Sequence, residues 1–341
     1  MTRLLIGFAG GLAMFVLVAA AAFARLVPPG TLTYVDAPAI VVPLASGFPG
    51  QPQVAAAKPA RVAMLAAAEP DRGSGPALQI DAALHETTGW GSVPRIAADG
   101  RTSLLHYARP GSADCTRPCI SVVIAGLGLA DKLSSRALAL PGAVGLAFSP
   151  YVETAGWQAR ARAAGHEALL DLPLQPARYP DDDSGPFTIL TSVSPEQQLD
   201  ALLRVLATGS GYVAVTGEAG AFAAKPEAFA PVARALATRG LGLVEIGGSA
   251  LTGQARAAAL PTATATATIN ADPAPGAIDR ALTAVAAEAR RSGRALAIFQ
   301  PLPASFGRLT SWLASLPEQG LELVPPSRFL QAVPSPALAR Q

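Results

Sequence analysis

The amino-acid sequence predicts an α/β fold built on a parallel sheet, occupying about residues 118–330 of 341. Three observations carry this reading. After Ile120, short apolar β-branched runs alternate with Ala/Leu/Arg segments of helical period. Such alternation gives a parallel sheet with crossover helices, either wrapped into a distorted barrel or open and doubly wound. Pro195, Pro226 and Pro275 stand at the starts of helical segments, and Gly165, Gly240, Gly293 and Gly320 just past their ends. A missing N–H is harmless at the first position and a left-handed backbone is needed at the second. Finally, Cys119-Ile120-Ser121-Val122-Val123-Ile124-Ala125-Gly126-Leu127-Gly128 is an apolar run ending in Gly-x-Gly, the pattern of a first strand buried on both faces.

The strands expected in order are Ile120–Ile124, Ala143–Phe148, Glu167–Leu170, Tyr212–Val215, Leu241–Ile246, Ala263–Thr268, Ala295–Phe299 and Leu321–Val324. The helices expected between them are Leu133–Leu140, Glu153–Ala164, Pro195–Ala207, Pro226–Arg239, Pro275–Arg291 and Ser305–Leu316. In such folds the carboxyl ends of the strands face the site, so the first strand should carry chemistry at residues 125 and 126. Here they are Ala125 and Gly126, which can neither bind a metal nor move a proton.

Residues 76–117 read as an irregular lead-in, with Leu84, Trp90, Ile96 and Leu104 among its anchors on the later domain. Residues 28–75 form a Pro/Ala-rich linker, broken by Pro28, Pro29, Pro38, Pro43, Pro49, Pro52, Pro59 and Pro70. Fully extended, such a chain of about 45 residues reaches on the order of 140 Å, enough to hold a domain clear of a bilayer. Leu4–Ala24 is free of charge and proline and is bracketed by Arg3 and Arg25. About 20 apolar residues cross a bilayer core, so the segment reads as a single transmembrane anchor. A cleaved signal peptide is the competing reading, because Ala22-Phe23-Ala24 has the small-x-small form. Either one exports the body of the chain; with the anchor, this is an inner-membrane protein whose main domain is periplasmic.

The 26 basic and 24 acidic residues leave a net charge of +2 without any block of one sign, which excludes a nucleic-acid footprint. Cys115 and Cys119 are the chain's two cysteines. They lack the second ligand pair of a zinc site, and an exported address favours a disulfide over free thiols or a redox pair. Of the three histidines, His85 and His106 lie in the lead-in. His166 follows Gly165, where a cation at a helix C-terminus is favourable. Asp171, Glu218 and Glu245 all fall at predicted strand ends, so they can share one mouth of a barrel and work as paired carboxylates do in glycoside hydrolysis. Alternatively they cap turns or pair with arginines such as Arg178. Asp181-Asp182-Asp183 reads as a solvated turn rather than a calcium loop. No phosphate loop, dinucleotide fingerprint or Gly-x-Ser-x-Gly elbow is present.

Leu172-Pro173-Leu174-Gln175-Pro176, then Tyr179-Pro180 through Gly185-Pro186, then Leu190-Thr191 and Ser194-Pro195-Glu196 stand in an order and spacing that resembles the divergent polysaccharide deacetylase family, within the NodB-like carbohydrate esterases. The resemblance implies a distorted NodB-like (β/α) barrel in the cell envelope, linked to carbohydrate or peptidoglycan metabolism. In relatives the first strand ends I-D-D-x-G, where this chain has Ile124-Ala125-Gly126-Leu127-Gly128. Relatives have N-N-H-M-G-S where Thr216-Gly217-Glu218-Ala219-Gly220-Ala221 stands, and G-H-P-H-P where Phe299-Gln300-Pro301-Leu302-Pro303 stands. A D-S-R-T-S segment corresponds to Glu245-Ile246-Gly247-Gly248-Ser249. Relatives that keep these motifs would use a divalent metal such as zinc. With Ala125, Gly126, Glu218, Gln300 and Leu302 at the matching positions, the resemblance implies a chain without cofactor that acts by binding a glycan or a cell-envelope protein. The alternatives are a hydrolase using Asp171, Glu218 and Glu245, and a structural partner of cell-wall machinery.

Overall fold

The computed structural model describes residues 79–110, 115–269, 274–303 and 305–330. The expected anchor over 4–24 and linker over 28–75 lie outside the described residues. Among the described residues no helix is long and apolar enough to cross a membrane.

The lead-in is more regular than its sequence suggests. Strands β1 (His85–Thr88) and β2 (Gly91–Pro94) form an antiparallel hairpin, followed by the short helix α1 (Ser103–His106). The hairpin is fastened to the helices beneath it. Trp90 Nε1 donates to Asp200 Oδ1 at 2.7 Å, the Arg204 guanidinium lies 4.0 Å over the Trp90 ring, and Arg239 bonds Glu86 at 2.6 Å. These partners lie more than a hundred residues away in the chain, so local periodicity carries no sign of them.

The main sheet is parallel throughout. Its strands are β3 (Cys119–Leu127), β4 (Gly145–Phe148), β5 (Ala168–Asp171), β6 (Ala214–Glu218), β7 (Gly242–Ile246), β8 (Thr262–Thr264), β9 (Ala267–Ile269), β10 (Arg294–Phe299) and β11 (Glu322–Leu323). The order is β8-β7-β6-β5-β4-β3-β10-β9, with β11 pairing the start of β3. The first and last strands of that order are successive pieces of one segment. Where a single strand was expected over 263–268, Ala265 N–H bonds the Glu245 carbonyl on β7 and Thr266 N–H bonds the Leu296 carbonyl on β10. The segment thus leaves one neighbour and joins the other, and the curled sheet is consistent with a distorted barrel.

Helices α2 (Asp131–Ala137), α3 (Thr154–Ala163), α4 (Pro195–Leu206), α5 (Ala230–Thr238), α6 (Thr252–Ala257), α7 (Pro275–Ser292) and α8 (Phe306–Ser315) connect the strands. The sequence-based expectations locate all of these except α6. Ser194 caps α4, its hydroxyl accepting from Gln197 N–H while the Gln197 side chain accepts from Ser194 N–H. The helix expected over 226–239 breaks into a 3-10 turn, Pro226–Phe229, and α5. Pro231 has no N–H to offer the Glu227 carbonyl, which accepts from Ala230 N–H instead. Gly165, Gly240, Gly293 and Gly320 all have positive φ, as helix-ending glycines should.

Strand side chains alternate between two cores. Ile120, Val122, Ile124, Phe148, Leu170, Val215, Leu243 and Phe299 pack outward against helix residues such as Trp157, Leu202, Leu236, Val285 and Leu309. Val123, Ala147, Leu169, Ala214, Val244, Leu296 and Ile298 face a lumen shared with Val324, Phe329 and Leu330. A Cβ on Gly145 would collide with Pro326 Cγ, and one on Gly242 would lie 2.8 Å from Leu330 Cδ1. Glycine at the starts of β4 and β7 therefore lets the C-terminal segment seat against the amino ends of the strands.

Candidate functional site

The alternation that separates the two cores also assigns the predicted carboxylates. Leu169 faces the lumen, so Asp171, two residues on, does as well; Ala214 likewise brings Thr216 and Glu218 inward. Register puts Asp171 beside Thr216 and Glu218 beside Ile246. Asp171 and Glu218 therefore share the carboxyl-end mouth. Glu245 pairs with Gly217 and follows Leu243 outward, so it does not share that mouth. It is fully buried, accepting from Leu251 N–H at 2.7 Å and from the Thr252 hydroxyl at 2.9 Å, and so holds the start of α6. Burial pushes its carboxyl up, opposed by those hydrogen bonds.

Asp171 is occupied by the protein itself. Oδ2 accepts from Gly126 N–H at 2.8 Å and Oδ1 from the Thr216 hydroxyl at 2.5 Å. Burial pushes its carboxyl above the ordinary value of 3.8, with the Thr216 and Gly126 hydrogen bonds opposing. Gly126 has a φ of +75° and β3 shifts register between Ile124 and Leu127. The position where relatives carry a second aspartate is thus a left-handed turn whose N–H is aimed at Asp171. In the sequence Thr216 is marked only by its place in a family segment. Its role follows from lying at a strand end adjacent to that of Asp171.

Glu218 is exposed at the end of β6 and edges a cleft of about 460 Å³. Leu172, Pro173, Leu174, Pro176 and Ala177 supply apolar walls, with Arg178, Asp182 and Ser184 at the rim. Arg178 does not pair with any of the predicted carboxylates. Its Nε and Nη2 bond Asp182 at 2.8 and 3.0 Å. In the same turn Asp183 accepts from Gly185 N–H at 2.9 Å, as a solvated turn requires. Leu129, Tyr151, Tyr179 and Leu302 are exposed large apolar residues, and they follow the ends of β3, β4, β5 and β10 respectively.

The donors at the mouth do not fit the metal that the resemblance implies. Ala125 and Gly126 offer no ligand, Asp171 is engaged, and Glu218 stands where relatives carry histidine. Among the described residues no three His, Cys, Asp or Glu side chains are grouped to hold a metal ion. His166 is buried with Nδ1 2.8 Å from the Val144 carbonyl, and burial pushes its imidazole down. Its Nε2 lies 3.3 Å from the Leu138 carbonyl, and the two carbonyl contacts oppose that shift. His85, in β1, is likewise pushed down by burial. Cys115 and Cys119 form a disulfide.

Sequence reasoning missed a fourth carboxylate. Glu167, immediately before β5, is buried and accepts from Arg109 N–H at 2.8 Å, Ser327 N–H at 2.9 Å and the Ser327 hydroxyl at 2.5 Å. It ties the lead-in and the C-terminal segment to the amino end of the sheet.

A family model described as divergent polysaccharide deacetylase matches residues 122–330. The solved structure of an uncharacterized protein from Agrobacterium tumefaciens is 32% identical, with a TM-score of 0.65, covering 69% of this chain and 98% of that one. A putative fructose-1,6-biphosphate aldolase from Coccidioides immitis, 11% identical with a TM-score of 0.30, covers 60% of this chain and 90% of that one and is too remote to carry an argument. No curated protein matches.

Proposed function

We propose, from the premise that this chain belongs to the divergent polysaccharide deacetylase family, that it binds a glycan in the cell envelope and does so without metal-dependent deacetylation. One observation carries this reading. An open cleft lies beside Glu218 at the end of β6, lined in part by Leu172, Pro173, Leu174 and Pro176, whereas the positions that should bind metal are Ala125 and a left-handed Gly126 that donates to Asp171. Metal-assisted deacetylation needs converging ligands to hold the ion, a base for the water and an acid for the leaving amine. Binding a sugar needs only a concave surface, apolar contact with its C–H faces and a few polar groups.

An N-terminal anchor over 4–24 and an extended linker would set this domain in the periplasm, with peptidoglycan as the polymer within reach. The test is metal analysis of the purified full-length protein together with glycan binding by calorimetry. Saturable glycan binding with less than stoichiometric metal supports the reading, and one tightly held zinc ion per chain defeats it.

A second reading is favoured by a different observation. Asp171, raised by burial, and the exposed Glu218 face the same mouth, as an acid and a base would in two-carboxylate glycoside hydrolysis. Release of reducing ends from a glycan, abolished in Asp171→Asn, would establish it. A third reading, a structural partner of cell-wall machinery, needs no open cleft and gains nothing from one.

A further inference from the structure

We infer that the cleft beside Glu218 takes a protonated amino sugar, the deacetylated unit of a glycan rather than the acetylated one. The inference rests on the reading of the mouth as a glycan site and names its ligand. Glu218, Arg178 and Asp182 are the ionisable residues of the cleft. Arg178 spends its guanidinium fork on Asp182, so this pair neutralises itself. Among the described residues Glu218 has neither a hydrogen-bond nor an ion-pair partner, and it leaves the cleft with one uncompensated negative charge.

The other surfaces define the rest of the ligand. Prolines 173 and 176 and leucines 172 and 174 offer a wall without donors. The site is therefore bounded by aliphatic surface on one side and has one unpaired carboxylate at its edge. A pyranose ring bearing an ammonium matches this, presenting C–H bonds to the wall and N–H donors to Glu218. Acetylation removes the positive charge and turns a carbonyl oxygen toward a carboxylate. The site should thus discriminate against the acetylated sugar, by loss of a charge-assisted bond and by repulsion.

The test uses the full-length protein in detergent, titrated calorimetrically with pentamers of glucosamine and of N-acetylglucosamine. The glucosamine pentamer should bind about tenfold more tightly, which is what one charge-assisted hydrogen bond is worth. Glu218→Gln should abolish that preference with no change in the unfolding midpoint, and Glu218→Asp should retain part of it. Equal or tighter binding of the acetylated pentamer overturns this inference while leaving glycan binding intact. Binding of neither pentamer overturns both. Tri-lysine binding as tightly as the glucosamine pentamer, and lost in Glu218→Gln, also overturns it, since the site would then be one for basic peptides.

Discussion

Strand β5 has one carboxylate just before its first residue and another at its last, and the two are treated differently. Glu167, at the amino end, receives three hydrogen bonds from two distant segments and is 1% exposed. Asp171, at the carboxyl end, receives two, from a turn and from its neighbouring strand, and stays partly accessible. Burial pushes both carboxyls up. At the amino end such a group fastens termini across the opening. At the carboxyl end it holds the Gly126 turn against the neighbouring strand. Chemistry is therefore to be sought at one end and stability at the other, the division expected of parallel barrels.

The sharpest way to break this comparison is Glu167→Ala, which strands three partly buried donors and should cost about 3 kcal/mol in urea denaturation. If it costs less than Asp171→Ala, the amino end is not the fastening point. The pH dependence follows from the same carboxyl. Its folded pKa lies above the ordinary value of 4.5, so its contribution is fully present below that pH and is lost as pH rises through the elevated folded value. Glu167→Gln should therefore flatten the decline in unfolding midpoint as pH rises above about 4.5. An unchanged slope would mean that another group titrates there.

Next in size is the disulfide that precedes β3 at the amino end. Replacing Cys115 and Cys119 together by serine should lose about 2 kcal/mol, the chain-entropy value for so short a loop. At the mouth, Gly126→Ala should cost about 1–2 kcal/mol, purely from its left-handed backbone, because an added Cβ meets nothing within 4 Å. A much larger loss would show that the turn is packed rather than open. The smallest effect belongs to Glu218→Gln, expected to shift stability by no more than about 0.5 kcal/mol because the side chain is exposed and unpartnered. A larger loss would place Glu218 among the structural carboxylates.

Much of the frame was legible because buried parallel strands read as apolar runs and helices are punctuated by proline and glycine. Ile120–Ile124 and Ala295–Phe299 lie inside β3 and β10, and Pro195 and Pro275 begin α4 and α7 as expected. The same apolar continuity hid which way each side chain points. Leu243, Val244 and Ile246 are all apolar, so nothing in β7 reveals that Glu245 faces out whereas its strand-end counterpart Glu218 faces in. Glu167 escaped notice because its partners lie 58 and 160 residues away, and the hairpin over 85–94 because its support comes from α4 and α5. The family motifs pointed to the mouth, but the conformation of Gly126 and its bond to Asp171 required coordinates.

The hand-over at Ala265 and Thr266 has a consequence for association. An open sheet leaves a row of unpaired amides on its outermost strands, a template to which another chain can add. Here Thr262–Ile269 serves both outermost positions, bonding β7 with one half and β10 with the other. Both outer edges of the main sheet therefore belong to this one segment, with β8 bonded only to β7 and β9 only to β10. Each of these edge strands is three residues long, so a chain adding to the sheet through backbone amides finds only a short template on either side.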